Sequence, residues 1–496
     1  MNDRRLWKTL VATALTLSGF ASTPLRAQVT ALPGIEETAK PAEPADATAP
    51  PKGGSEPTSL LGNGDGLSFE SASGDFSLQV GFWGQTRFQA YDKDQWRRVD
   101  RTTLTPPIPV ENVGITQLTF DIPLLRFYMR GKTFKPWLTY KLELNLVAND
   151  EGLREILIPA VDPITGSNAV LVRAGAESQD GRTVKLVDYY LDGAPLTAVG
   201  FRVGQFKVPD GRQELVSDMQ LQMTQRSIAS AFFAPGRDRG IEVKGSTPTQ
   251  KIGYQVGAFN GTGLTAHANT DGTLAYALRL TATSNGPYLD IESNVDAPDR
   301  FHAQGGVSWY TNGQRMTQNA DPLSLLGNVQ DRRVAADLEF FWHKRANLLF
   351  EYFQSRIRVD DAIQQRMQQI CYGAFLQGLV TCDQQGYNAQ AGVTFGDHQE
   401  LSGRYSMVDA DRDLDRDRQM ETTLNYTYFF RKHVLRWSSS LTFLKLQVNA
   451  TGSSGLAVQQ GDSSIPPVVN FPNPEAFPGL DDDQNKAFVT QLQWVF

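Results

Sequence analysis

The chain has 496 residues, 47 Lys and Arg against 54 Asp and Glu, and 27 Phe, 15 Tyr and 8 Trp alongside 43 Gly. A net charge of −7 excludes nucleic acid as a partner and argues against docking on an anionic membrane surface. Past the first 27 residues, no apolar run is long enough for a membrane helix, so a helical-bundle membrane protein is excluded as well.

At the N-terminus Arg4, Arg5 and Lys8 precede an apolar run from Thr9 to Ala21. This basic-then-apolar order predicts a secretory signal peptide over residues 1–27, with cleavage after Ala21 or Ala27. Its removal takes four basic and one acidic side chain and moves the net charge to −10. Residues 28–70 are rich in Pro and Ala and poor in large apolar groups, which predicts a disordered periplasmic leader.

From residue 75 to residue 496 the texture is period-two. Phe76, Leu78, Val80, Phe82 and Phe88 alternate with Ser77, Gln79, Gln85, Arg87 and Gln89. The same alternation recurs at 138–146, 274–281, 333–342 and 387–395. Each run has the length a tilted strand needs to cross a bilayer. A soluble sandwich also alternates, but it has no reason to segregate its connections by length. Here long gaps (92–116, 148–182, 208–237, 357–385, 409–419, 449–485) interleave with tight turns at 132–136, 192–197, 245–250, 343–346, 396–399 and 431–434. The exception is 284–299, long where a short turn is due. Long loops alternating with short turns predict an all-β transmembrane antiparallel barrel of about sixteen strands in a bacterial outer membrane, with long extracellular loops and short periplasmic turns. The closing strand places Phe488, Leu492, Trp494 and Phe496 on one face, the kind of terminal aromatic signal read by the β-barrel assembly machinery.

A barrel of this size encloses a water channel. Enzyme chemistry finds little support. Of five histidines, His343, His398 and His433 fall in tight turns, His267 lies outside the strand runs, and His302 shares a strand face with Gln304 and Ser308. A Ser–His site there is the one enzyme alternative, beside a plugged structural barrel. The Asp409, Asp411 and Asp413 alternation within 409–418 suggests calcium, but Leu414 and Met420 stand where that loop needs Gly and Glu. The run therefore reads as an extracellular turn whose arginines offset its acids, with bridging of lipopolysaccharide as the residual role. Neither a cofactor nor a metal is expected. Cys371 and Cys382, in an exported chain, predict one disulfide in the sixth extracellular loop.

The segment 201–245 is the most specific. "VGQFKVPDGRQEL", the "RSI" at 226–228 and "APGRDRGIEVKG" resemble the phosphate-selective porin O and P family, as do "RFYMRG" and "WLTYKLEL" near 126–144. The resemblance implies a usually trimeric sixteen-stranded channel, with its third loop folded inward and basic residues facing the lumen to attract anions such as phosphate or polyphosphate. It places Lys207, Arg212, Arg226, Arg237, Asp238 and Arg239 at the constriction, with Arg126, Arg130 and Arg202 on the wall beside them. Met219, Leu221, Met223 and Ile228, odd on a solvated loop, suit a segment packed against that wall. Asp210 departs from the family's aromatic at that position and adds a negative charge near the constriction. The alternative is a general or substrate-specific porin for sugars or organic acids, with Trp83 and Tyr91 on the polar face of the first strand as a slide.

Overall fold

The computed structural model describes residues 66–98, 110–147, 159–161, 168–171, 184–264, 269, 272–317, 325–366, 371, 374, 377–414, 418–447 and 483–496. The residues read as signal peptide, most of those read as leader, His267, and most of the second and eighth long loops lie outside them.

Among the described residues, sixteen antiparallel strands form one closed barrel. In chain order they are β1 Ser77–Arg98, β2 Val110–Thr133, β3 Lys135–Asn145, β4 Lys185–Leu196, β5 Val199–Lys207 and β6 Arg237–Ser246. Then follow β7 Ile252–Phe259, β8 Ala275–Thr283, β9 His302–Thr317, β10 Leu325–Trp342 and β11 Ala346–Val359. The last are β12 Thr381–Phe395, β13 Gln399–Asp409, β14 Gln419–Arg431, β15 Leu435–Leu446 and β16 Asp483–Val495. Each pairs with its neighbour in sequence, and β16 closes on β1 from Lys486↔Asp92 to Val495↔Trp83.

The alternation sets which way each side chain faces, and its sense is inverted relative to a soluble protein. On β10, Leu338 is 53 % exposed on the outer face while the adjacent Glu339 is 0 % exposed on the inner one. Val334, Leu348, Phe350, Val393 and Leu424 repeat the outward pattern. An apolar outer band against a polar interior is what a bilayer demands of a barrel. Exposed Phe134, Trp137, Trp342, Phe395, Phe430 and Phe496 cluster at the short-turn end, matching an interfacial aromatic girdle.

The turns are tight where the spacing requires it. His343 and Lys344 both take positive φ (49° and 56°), the geometry that matches strand twist in a short hairpin. The parity exception is real: 284–301 joins β8 to β9 at the short-turn end and carries only a short 3-10 turn at Asn294–Asp296.

At the seam, Phe82 and Phe496 exchange backbone hydrogen bonds (2.6 and 2.9 Å). Immediately beyond, the four-residue strand Leu67–Glu70, in the segment read as leader, pairs with Ser77–Val80 of β1. The N-terminal strand and the C-terminal strand therefore lie end to end along one edge of β1.

Candidate functional site

The connection between β5 and β6, residues 208–236, is built to turn inward. Gly211 (φ 65°) and Gly236 (φ 73°) stand near its entrance and at its exit in the left-handed region, where a side chain is strained. Val208 N–H donates to Gly236 O at 2.9 Å and closes the loop's base. Between them lie two short helices, α1 Arg212–Leu215 and α2 Ile228–Phe233, the second capped by Ser227 Oγ accepting from Ser230 N.

The segment reaches the far wall. The backbone N–H groups of Arg212 and Gln213 donate to Glu351 Oε1 on β11 (2.9 and 2.8 Å), and Ile228 N–H donates to Glu421 Oε2 on β14 (2.9 Å). Arg436 on β15 donates to Leu221 O (2.6 Å), and Arg87 on β1 donates to Thr224 O (3.2 Å). Phe233 stacks on Phe353 at 5.4 Å inside an apolar cluster with Ile228, Ala335 and Val408. This explains the apolar residues that a solvated loop would not carry: Leu221 and Met223 are buried, and Met219 packs on Trp83.

The arginines of the constriction motif are occupied. Arg126 bonds Glu143 (2.7 Å) and Asp218 (2.8 Å) and lies over the Trp83 ring. Arg226 shares Asp218 and lies 3.4 Å from Glu214. Arg212 pairs with Glu339, Arg237 with Asp188 at 2.8 Å, and Lys207 donates to the carbonyls of Glu214 and Val216. Burial opposes the charge on Asp218, yet Arg226 and Arg126 outweigh it and hold its carboxyl well below the usual range. Asp238 acts on backbone, accepting from the N–H groups of Arg239 (2.7 Å) and Gly261 (2.6 Å), so the acid of the Arg237-Asp238-Arg239 cluster pins the start of β6. Asp210 accepts from Ser308 Oγ at 2.7 Å and docks the loop on β9; burial pushes its carboxyl up.

Beside this network, the wall of β2–β6 carries cations that are less completely covered. Lys141, Arg202 and Lys244 keep 27 %, 24 % and 24 % of their side-chain surface, against 4 % for Arg126 and 1 % for Arg212. Arg202 and Lys244 share Asp192, and Arg202 lies 4.5 Å over the Tyr190 ring. Arg130 is exposed, with its Nε on Gln79 (2.7 Å). Lys141 and Lys244 lie inside the matched stretches "WLTYKLEL" and "APGRDRGIEVKG" but are not among the constriction candidates, although the period-two pattern puts both on the polar face.

His302 bonds Gln304 and Ser308 bonds Asp210. The two lie six residues apart along β9, about 20 Å at strand rise, so they form no catalytic pair. Trp83 is buried under Met219 and Arg126 and offers no open ring to a sugar. Cys371 and Cys382 are disulfide-bonded, with Cα atoms 6.0 Å apart, where the sixth long loop enters β12.

With barrel, inward loop and polar lumen in place, the family model for the phosphate-selective porin O and P proteins matches residues 117–453, more than half of the chain. The chain belongs to the phosphate-selective porin O and P family. It is thus an outer-membrane porin, in a family of channels rather than enzymes. Among solved structures the porin is similar to an anion-selective porin from Comamonas acidovorans, at 12 % identity and TM-score 0.51, covering 85 % of this chain and 100 % of that one. It is also similar to OmpT of Vibrio cholerae in its trimer form, at 10 % identity and TM-score 0.47, covering 84 % and 99 %. The channel DcaP of Acinetobacter baumannii matches at 11 % identity and TM-score 0.46, covering 86 % and 99 %. At such identities the likeness speaks to the fold alone. No curated protein matches the porin's sequence.

Proposed function

We propose that this porin is a passive diffusion channel that prefers small anions, phosphate among them. The observation that carries this reading is the basic wall of Lys141, Arg202 and Lys244, each about a quarter open, with exposed Arg130 beside it. Two of these cations, Arg202 and Lys244, share one carboxylate, Asp192. Low-dielectric walls focus such a field and raise the local concentration of anions. Arginine adds a planar fork suited to phosphate oxygens, and lysine a mobile point charge.

Reversal potentials under a salt gradient across a planar bilayer test this reading, with anion selectivity expected. A cation-selective or unselective channel overturns it and leaves the porin identity standing. Current inhibition by phosphate and pyrophosphate, with none by neutral sugars, separates this function from a sugar channel. Family membership supports a homotrimer, to be tested by cross-linking in the membrane.

A further inference from the structure

We propose that the periplasmic connection 284–301 is a second constricting element that, latched to the inward loop, seals the β8–β16 side of the lumen and confines permeation to the wall of β2–β7. This is the segment whose length broke the parity of the turns. It threads across five strands from inside. Leu289 N–H donates to Gln304 on β9 (2.8 Å), and Tyr288 OH donates to Asp337 on β10 (2.8 Å). Asn347 on β11 donates to Glu292 O (2.8 Å), and Asn294 reaches Gly392 O on β12 (3.3 Å). On β13, Glu400 accepts from Ser293 Oγ and Asn294 N (both 2.9 Å). Asp296 then anchors the segment to the β14–β15 turn through Lys432 (3.1 Å) and His433 (3.0 Å).

The two inward segments meet. Gln222 N–H of the loop donates to Glu292 Oε2 (3.0 Å), and the Arg212 guanidinium donates to Ile291 O. Behind them the wall is dry: Glu339, Glu400, Thr427, Ser438 and Gln493 are all 0–2 % exposed, though they face the lumen. The contrast with Lys141, Arg202 and Lys244 is therefore one of location. Water reaches the lumen wall at the short-turn end on one side and is displaced by protein on the other. The segment also explains why the motif's own Arg212 is withdrawn from the channel, since it is held between Glu339 and Ile291.

The test is cysteine accessibility, which the native disulfide leaves free of background thiols. Single channels of Lys141→Cys, Lys244→Cys, Thr427→Cys and Ser438→Cys are exposed to bulky thiosulfonates, one anionic and one cationic. Both reagents are expected to cut conductance at least about twofold in the first two variants and to leave the last two unchanged. Block at Thr427→Cys or Ser438→Cys, or none at either lysine position, overturns the proposal. A second variant replaces residues 287–298 by two glycines. Its conductance should rise, and Ser438→Cys should become reactive in that background; unchanged conductance overturns the proposal. The proposal uses the lysines of the anion reading but does not need their selectivity. The same reactivity pattern in a cation-selective channel would sink the anion preference and keep the route.

Discussion

The arginines around the inward loop and the cations of the β2–β6 wall belong to the same residue classes and sit within one lumen, yet they have opposite surroundings. Arg126, Arg212, Arg226 and Arg237 are buried against Glu143, Glu339, Asp218 and Asp188. Lys141, Arg202 and Lys244 are paired as well, but a quarter of each side chain remains open. A buried pair presents little net field to a passing ion, because its members cancel at close range. What Arg126, Arg212, Arg226 and Arg237 supply is therefore chiefly mechanical, and charge available to a permeant comes from Lys141, Arg202 and Lys244.

The strongest break in that comparison is Asp218→Asn. It strips both Arg126 and Arg226 of a buried carboxylate, and uncompensated buried charge typically costs about 3–5 kcal/mol. Proteolysis of the folded protein should then cut within 208–236, where the packed loop of the parent is expected to resist. Equal resistance would mean the pair is dispensable. A smaller effect, in a region belonging to neither set, is reduction of Cys371–Cys382. The bridge closes a loop of 11 residues in sequence separation, worth roughly 2–3 kcal/mol. Thermal loosening of the sixth long loop without change in ion selectivity is expected, and a selectivity change would implicate that loop in the pore.

The comparison sharpens with Lys244→Gln. Asp192 keeps Arg202, so folding should hold while one partly open charge is lost. At about 1 kcal/mol per unit charge across a few ångströms of water, the anion-to-cation permeability ratio should fall about fivefold. A reversal potential identical to the parent's would move selectivity elsewhere. The finest test concerns pH. Burial works against the charge on Asp296, but His433 and Lys432 outweigh it and pull its carboxyl down to about 2, below the ~3.9 of an unfolded chain. A depressed carboxyl contributes stability above the unfolded value and loses it as pH falls through the folded one. Hydrogen exchange at 284–301 should quicken between pH ~4 and ~2, and Asp296→Asn should flatten that dependence.

Much of this was readable from residue order. Alternation such as Val334, Ala336 and Leu338 against Asp337 and Glu339 sets the two faces of β10, because the strand's period is two and the bilayer accepts only one of them. Met219, Leu221, Met223 and Ile228 marked 208–236 as packed. Partner choice was not readable. Arg212 meets Glu339 and Asp218 meets Arg126 only because the barrel closes and the loop crosses it, so no local spacing encodes either pair. The excess length of 284–299 was visible, but length does not say whether a turn hangs outward or threads back. Lys141 and Lys244 were on the polar face from the start; their openness depends on what covers the opposite wall.

The seam has a kinetic consequence. Gln85 bonds Gln493 across 408 residues of chain, and the edge of β1 beyond Phe496 is taken by Leu67–Glu70. Contacts of such separation form late, since their loop entropy must be met before they return anything. Until then β1 is an exposed strand edge, the feature that drives wrong pairing in β-proteins. A strand nearby in sequence that covers one end of it shortens the template offered to other chains during that wait.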